Sequence, residues 1–345
     1  MSEIKYKSIP LEEAVGMMLG HDMTQIVPGE FKGPAFKKGH IIKEEDVSQL
    51  LDRGKMNIYG LDPKAGYVHE NEAAARMARA ASGSGVEHTE PSEGRINFIS
   101  NSSGLLKINR EALLKINSVE DITFATIHGN QIVKPGTAMA GTRIIPLATV
   151  EKNIEEVERI CREHYPVIEV KPFRKLKVGV ITTGTEVFSG RIKDKFGPVL
   201  KKKFTELNCE VVKQVFVSDD IDKTVDAMHA LIAEGADLLA LTGGMSVDPD
   251  DQTPHSIRKA GAKVITYGAP VYPGAMFMLA YIGDVPVVGL PGCVMYHRAS
   301  IFELILPMIV AGEPVTKEYI ASLGHGGFCS NCKECRYPVC GFGKQ

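Results

Sequence analysis

Two segments of this 345-residue chain, 178–186 and 238–251, begin as short apolar runs and end abruptly in Thr-Gly followed by hydroxyls and carboxylates. A buried parallel strand reads this way. It is apolar along its length because helices cover both faces, and its polar C-terminal loop forms one wall of a ligand site. Two such loops from one sheet can converge on a single anionic ligand. The surrounding pattern is regular: strand-like runs at 177–182, 210–217, 237–241, 263–266 and 286–289 alternate with helical stretches at 195–207, 221–233 and 253–260. A last helix is expected from about Met295 to Val310. Alternating β and α at this spacing predicts an α/β fold, a doubly wound and mostly parallel sheet with its site at the strands' carboxyl ends.

The chain is longer than one typical domain. Upstream of the regular region the sequence is Gly-punctuated, with helices expected at 41–51 and 71–81, and Ser82-Gly-Ser-Gly85 reads as a flexible linker by composition. Residues 1–85 are expected to form a small α+β module with its linker. Residues 86–173 form a second α+β module, with helices at 110–116 and 150–164 and a strap at 171–175. The α/β domain follows at 174–312, and a Cys-rich tail at 313–345.

The loops carry the chemistry. Thr183, Gly184, Thr185 and Glu186 offer hydroxyls, backbone N–H groups and a carboxylate around a glycine that permits close approach. Thr242, Gly243, Gly244 and Ser246 repeat the arrangement, and Gly289-Leu-Pro291-Gly292 supplies a third loop. That loop is expected just before the last helix, whose positive end attracts an anion by about 0.3–1 kcal/mol when exposed and up to about 2 when partly buried. Carboxylates cluster at the same end: Glu186, Asp219 and Asp220, then Asp248, Asp250 and Asp251. Beside phosphate binders such oxygens suit Mg²⁺, which keeps waters and bridges to substrate phosphate. Helix capping is the competing reading, above all for Asp220. A P-loop, a G-x-G-x-x-G turn opening the first β–α unit and a G-x-S-x-G elbow are all missing, which argues against P-loop NTPases, dinucleotide dehydrogenases and α/β-hydrolases.

A net charge of −2 gives neither a nucleic-acid nor a membrane-surface footprint, and the N-terminal residues lack the apolar core of a signal peptide. No run approaches the roughly 18 apolar residues of a membrane helix. The expected location is therefore cytoplasmic, with neither nucleic acid nor membrane as partner. In that compartment Cys329, Cys332, Cys335 and Cys340, crowded into twelve residues, point to metal rather than disulfides. Four thiolates meet the tetrahedral requirement of Zn²⁺, while the C-x2-C-x2-C run also approaches that of iron–sulfur proteins. Cys161 and Cys209 read as apolar fillers; Cys293 reads as packing or as facing the pocket. His21, His40 and His69 read as structural.

Taken together, Thr-Gly-Thr-Glu186, Asp219-Asp220, Thr-Gly-Gly-Met-Ser246 with Asp251-Gln-Thr-Pro254, Pro273-Gly274 and Gly-Leu-Pro-Gly292 resemble the molybdopterin-binding domain of molybdopterin molybdenumtransferases and adenylyltransferases, over about 175–312. Pro10-Leu-Glu-Glu-Ala-Val15 is similar to the opening of molybdenumtransferases. The resemblance implies a transferase of molybdenum cofactor biosynthesis that binds adenylylated molybdopterin and, with Mg²⁺, replaces its nucleotide by molybdate or tungstate. Glu186 and Asp251 would then be the metal-linked and catalytic carboxylates, with Ser246 and the glycine loops holding pterin and phosphate. It further implies a homodimer and a recipient molybdoenzyme. Four departures stand against a full match. Tyr272-Pro-Gly-Ala275 lacks the flanking lysines of the family's Lys-Pro-Gly-Lys, Phe196 replaces a small polar residue, Cys293 replaces Asn, and the cysteine tail stands where the family has a β-barrel domain. Lys193, Lys195 and Lys201–Lys203 either restore positive charge or form a solvated face. A non-catalytic carrier, chaperone or sensor of molybdopterin with a metal-binding tail is the alternative; nucleotide chemistry like that of the competence-damage-inducible family is a third.

Overall fold

The buried residues Val178, Val180, Leu238, Ala240, Val288 and Leu290 share one hydrophobic cluster, whereas Ile181, Leu239, Leu241 and Val287 share another. Alternation with period two puts these sets on opposite faces of a sheet, so both faces are dry. Each such aliphatic side chain contributes about 1.5–3 kcal/mol by leaving water. The computed structural model describes residues 7–20, 23–27, 31–37, 39–61, 66–246, 248 and 251–344. The chain divides into two compact units, 1–100 with 109–127 and 136–169, and 101–108 with 128–135 and 170–345.

The second unit is built on six strands: β1 (Lys177–Thr183), β2 (Glu210–Val217), β3 (Leu238–Thr242), β4 (Lys263–Tyr267), β5 (Met278–Ile282) and β6 (Val285–Leu290). Their spatial order is β2-β1-β3-β6-β5-β4. The first four in that order are parallel, while β5 and β4 add an antiparallel edge. Helices α1 (Phe196–Glu206) and α4 (Ile301–Val310) cover one face through Leu200, Phe204, Ile305 and Leu306. The other face is covered by α2 (Ile221–Ala233) and α3 (Thr253–Lys259), through Met228, Leu231 and Ile257. The expected doubly wound, mostly parallel sheet is thus the observed one, with β5 as an addition. Its hairpin to β6 turns on Gly283-Asp284. Because Tyr267 pairs with Met278 and Met278 with Gly289, the 268–277 loop lies at the carboxyl end of β6.

The last helix differs from expectation. A single turn, Cys293–Tyr296, is separated from α4, which starts afresh after Ser300. Ser300 Oγ accepts from the Phe302 N–H (3.2 Å), and Glu303 Oε2 accepts from the Ser300 N–H (2.8 Å), a reciprocal cap that begins a new helix. The N-terminal donors of α4 are engaged in this way rather than offered beside Gly292. Gly104–Ile108 and Ile132–Val133 form a small antiparallel pair in the same unit. Glu313 there receives Lys107 (2.8 Å) and Lys171 (2.5 Å).

The first unit contains a four-stranded antiparallel sheet of Val86–His88, Ile96–Ser100, Ala138–Ile144 and Ile122–Thr126, with helices Glu70–Ala81, Arg110–Asn117 and Glu151–Glu163. Arg76 binds Glu158 through its Nε (2.9 Å) and Glu151 through its Nη1 (2.6 Å), tying two of these helices. A separate three-stranded sheet joins Lys7–Pro10, Asn57–Leu61 and Met18–Leu19. The Ser82–Gly85 stretch is not the flexible linker its composition suggests. Gly83 donates to Ile168 O (2.8 Å), and a Cβ there would stand 2.7 Å from Pro166, so glycine is present for close approach. Among the described residues no helix is long and apolar enough to cross a membrane.

Candidate functional site

At the end of β1, Thr183 is buried and its hydroxyl bridges two elements. It donates to Thr242 O at the end of β3 (3.3 Å) and lies 3.1 Å from Thr253 Oγ1, the first residue of α3. Thr253 in turn donates to Gly243 O (2.8 Å). Gly243 has φ +85°, and a Cβ on it would stand 2.2 Å from Thr183 O. Only glycine permits the two loops to touch here. The first and second glycine loops are therefore one structure, sealed by buried hydroxyls.

Gly184 turns sharply after β1, its N–H donating to Val217 O at the end of β2 (3.1 Å). One helical turn, Thr185–Phe188, follows. Thr185 donates to Asp219 Oδ2 through its N–H (2.8 Å) and its hydroxyl (3.0 Å), which locks the β2 loop beside it. Glu186 on that turn is exposed. Beneath it, Gln214 Nε2 joins Thr182 Oγ1 (2.9 Å) to Asp194 Oδ2 (2.8 Å). Asp194 also accepts from the Phe196 N–H (2.8 Å), so it starts α1.

The second loop reaches the other way too. Met245 lies over β6, where a Cβ on Gly289 would meet its Cε at 2.6 Å. The Tyr267 hydroxyl donates to Met245 O (3.2 Å), and burial pushes its pKa up. Ser246 is exposed. Asp251 closes its own turn, its N–H donating to Asp248 O (2.9 Å) and its Oδ2 accepting from the Asp248 N–H (3.3 Å). It lies two residues from Thr253 and hence from the junction that also carries Thr183. Asp250 lies outside the described residues, as does His21.

Not every expected residue joins this group. Asp220 caps α2, accepting from the Lys223 N–H (3.1 Å), and that hydrogen bond holds its carboxyl below the usual range. Asp219, one residue earlier, is the carboxylate that meets the first loop. Gly274 is buried against Ile301 at the start of α4, and Pro273 O accepts from the Ile301 N–H (3.1 Å). Pro291 and Gly292 open the Cys293–Tyr296 turn through hydrogen bonds of 3.0 and 3.1 Å to Val294 and Met295. Lys203 is no solvated lysine: it is half-buried in an ion pair with Glu303, whose carboxyl burial pushes up. Sequence reasoning expects Thr253 only as a helix start, although a hydroxyl soon after an acidic turn also suits a loop junction.

The remaining expected residues are local. Burial pushes the Cys161 thiol up to about 12 and raises that of Cys209, as apolar fillers require. Cys293 is half-buried and shifted the same way. His40 Nε2 meets Asp46 Oδ2 at 2.6 Å, and His69 Nδ1 accepts from the Asn71 N–H (3.3 Å) at its helix start. Cys329, Cys332, Cys335 and Cys340 carry no disulfide. Among the described residues no three His, Cys, Asp or Glu side chains are arranged to hold a single metal ion.

Residues 179–311 match the family described as "Probable molybdopterin binding domain", and residues 8–62 match a "Domain of unknown function (DUF8806)". The chain is 31% identical over 150 residues to a molybdopterin molybdenumtransferase of Haemophilus influenzae, covering 41% of this chain and 37% of that protein. It is 24% identical over 305 residues to the molybdopterin molybdenumtransferase of Staphylococcus epidermidis, covering 84% of this chain and 67% of that one. The chain thus spans little more than a third of the first relative's length. A solved structure of the molybdopterin biosynthesis enzyme MoaB from Thermus thermophilus is 20% identical, with 40% of this chain and 98% of that chain covered, at a TM-score of 0.34, too low to carry an argument. The loop motifs described above fall within the segment 179–311 that matches the molybdopterin-binding domain family.

Proposed function

We propose that this protein acts in molybdenum cofactor biosynthesis, binding molybdopterin or its adenylylated form at the carboxyl end of β1, β3 and β6 and exchanging the nucleotide for molybdate or tungstate. The observation that carries the reading is the Thr183–Thr253–Gly243 junction, which makes one surface of two glycine loops. The exposed Ser246 on this surface suits a phosphate or a pterin edge. Glu186, exposed after β1, and Asp251, two residues before Thr253, belong to the two loops that this junction joins.

We propose Mg²⁺ as the ion this edge takes. It takes one or two carboxylates, keeps several waters and completes its shell with substrate phosphate, so a closed cage of side chains is not required. Glu186 and Asp251 would hold it, and when bound it would neutralise charge on the phosphates. The chain itself orients the substrate: Asp219 fixes the Thr185 turn, and Asp248 fixes the carboxylate of Asp251.

A carrier or chaperone reading draws support from Tyr272-Pro-Gly-Ala275, which offers no flanking cation for an oxyanion. Molybdate-dependent release of AMP from adenylylated molybdopterin separates the two. The transferase reading expects AMP release by the wild type, abolished in Asp251→Ala with pterin binding retained. Tight pterin binding without AMP release at any molybdate or tungstate concentration overturns it in favour of the carrier.

A further inference from the structure

The chain after Ser322 forms no helix among its described residues, yet it is packed. Phe342 is buried in the core of the second unit, and the Tyr337 hydroxyl donates to Glu303 O (3.1 Å). Gly343 donates to Gly326 O (2.9 Å), so the tail closes on itself as a loop. At its base the Tyr272 N–H donates to Gly327 O and the Cys329 N–H to Tyr272 O, both at 2.8 Å. So long a stretch without regular structure and with few apolar side chains draws little stability from burial, and small loops of this kind are commonly stapled by metal.

All four tail cysteines line one cavity of about 470 Å³. Arg298, Lys333 and Arg336 line it as well, so its wall is cationic. The exposed Cys332 leaves it open on one side. A polynuclear cluster sets its thiolates further apart than a single ion does, because metal and sulfide lie between them, and a cavity of this volume leaves room for one. The spacing Cys329-x2-Cys332-x2-Cys335 is that of an iron–sulfur run. In two-cluster ferredoxins the fourth cysteine of such a run serves another cluster, but here Cys340 lines the same cavity as the other three.

We propose that Cys329, Cys332, Cys335 and Cys340 together ligate one iron–sulfur cluster of the [4Fe–4S] type, seated in this cavity. The four thiols bind as thiolates and release their protons. Arg298, Lys333 and Arg336 balance the negative charge of cluster and thiolates. This assignment does not depend on the identity of the pterin ligand.

The full-length protein, purified without oxygen and reconstituted with ferrous iron and sulfide, tests it. The expected result is about four iron and four acid-labile sulfide per chain, with visible charge-transfer absorption and a paramagnetic signal after reduction with dithionite. Cys335→Ser and Cys340→Ser should each lower bound iron at least twofold, whereas Cys293→Ser should retain it. Because the spectra are taken on the wild type, the result does not depend on the variants folding. Stoichiometric zinc without sulfide overturns the assignment, and so does a folded chain that takes up neither iron nor sulfide.

Discussion

Replacing Gly243 by alanine should separate the two glycine loops. The backbone there has φ +85°, which costs an L-residue about 1–2 kcal/mol. The new Cβ would also stand 2.2 Å from Thr183 O and 2.8 Å from Thr183 Oγ1, contacts no real Cβ makes, so the end of β1 must move. Overpacking of that kind adds about 1–3 kcal/mol. Gly235 isolates the second contribution, since its φ is +91° but nothing lies within 4 Å of a Cβ there. Gly235→Ala should lose only the backbone part, about 1–2 kcal/mol. Urea unfolding of both variants against wild type gives the difference, expected at about 1–3 kcal/mol in the direction of Gly243→Ala. In parallel, pterin binding should fall at least tenfold in Gly243→Ala and hold in Gly235→Ala. Equal destabilisation by the two substitutions, with pterin binding intact in both, would refute the claim that the loops meet at Gly243.

Two further outcomes concern hydrogen bonds and ion pairs of the second unit. Thr253→Val removes the hydroxyl that Gly243 O and Thr183 share, and should cost about 1–3 kcal/mol in urea unfolding, whereas Thr253→Ser should retain most of that stability. Glu313 gives the pH dependence of the second unit. Burial alone would raise its carboxyl, but the hydrogen bonds and charges of Lys107 and Lys171 prevail and lower it below the ordinary 4.5. A carboxyl lowered on folding stabilises above its unfolded value and loses that contribution as pH falls through the folded one. Thermal melts from about pH 6 to pH 3 should therefore show a wild-type loss of stability, beginning below about 4.5, that is smaller in Glu313→Gln; parallel curves would show that the ion pairs are inert.

What the sequence discloses of this fold follows from how each element is stabilised. β1 and β3 are legible because strands buried on both faces must be apolar throughout, as 178–181 and 238–241 are. β5 is missed because Met278–Ile282 is a short apolar run of mixed character, and only the Gly283-Asp284 turn marks it as half of a hairpin. The break before α4 is also written in the chain: Ser300 and Glu303 stand three apart, the spacing of a reciprocal cap. Gly83 shows the opposite limit. A Ser-Gly stretch reads as slack, and nothing local reveals that Pro166, 83 residues on, presses against it. At the site, motif spacing identifies the loops, but it does not tell that Asp219 rather than Asp220 faces Thr185, since the two are adjacent and chemically equal. Only the start of α2, which takes Asp220 as its cap, breaks that symmetry. Lys203 escapes a local reading for a similar reason, because its partner Glu303 lies 100 residues away.

Amide hydrogen exchange, with and without molybdopterin, addresses the pterin site itself. If that site lies at the carboxyl end of β1, β3 and β6, ligand should slow exchange at 183–186, 242–246 and 289–294 and leave the helices of the first unit unchanged. Protection confined to segments outside these loops, under conditions where binding is saturated, would contradict it.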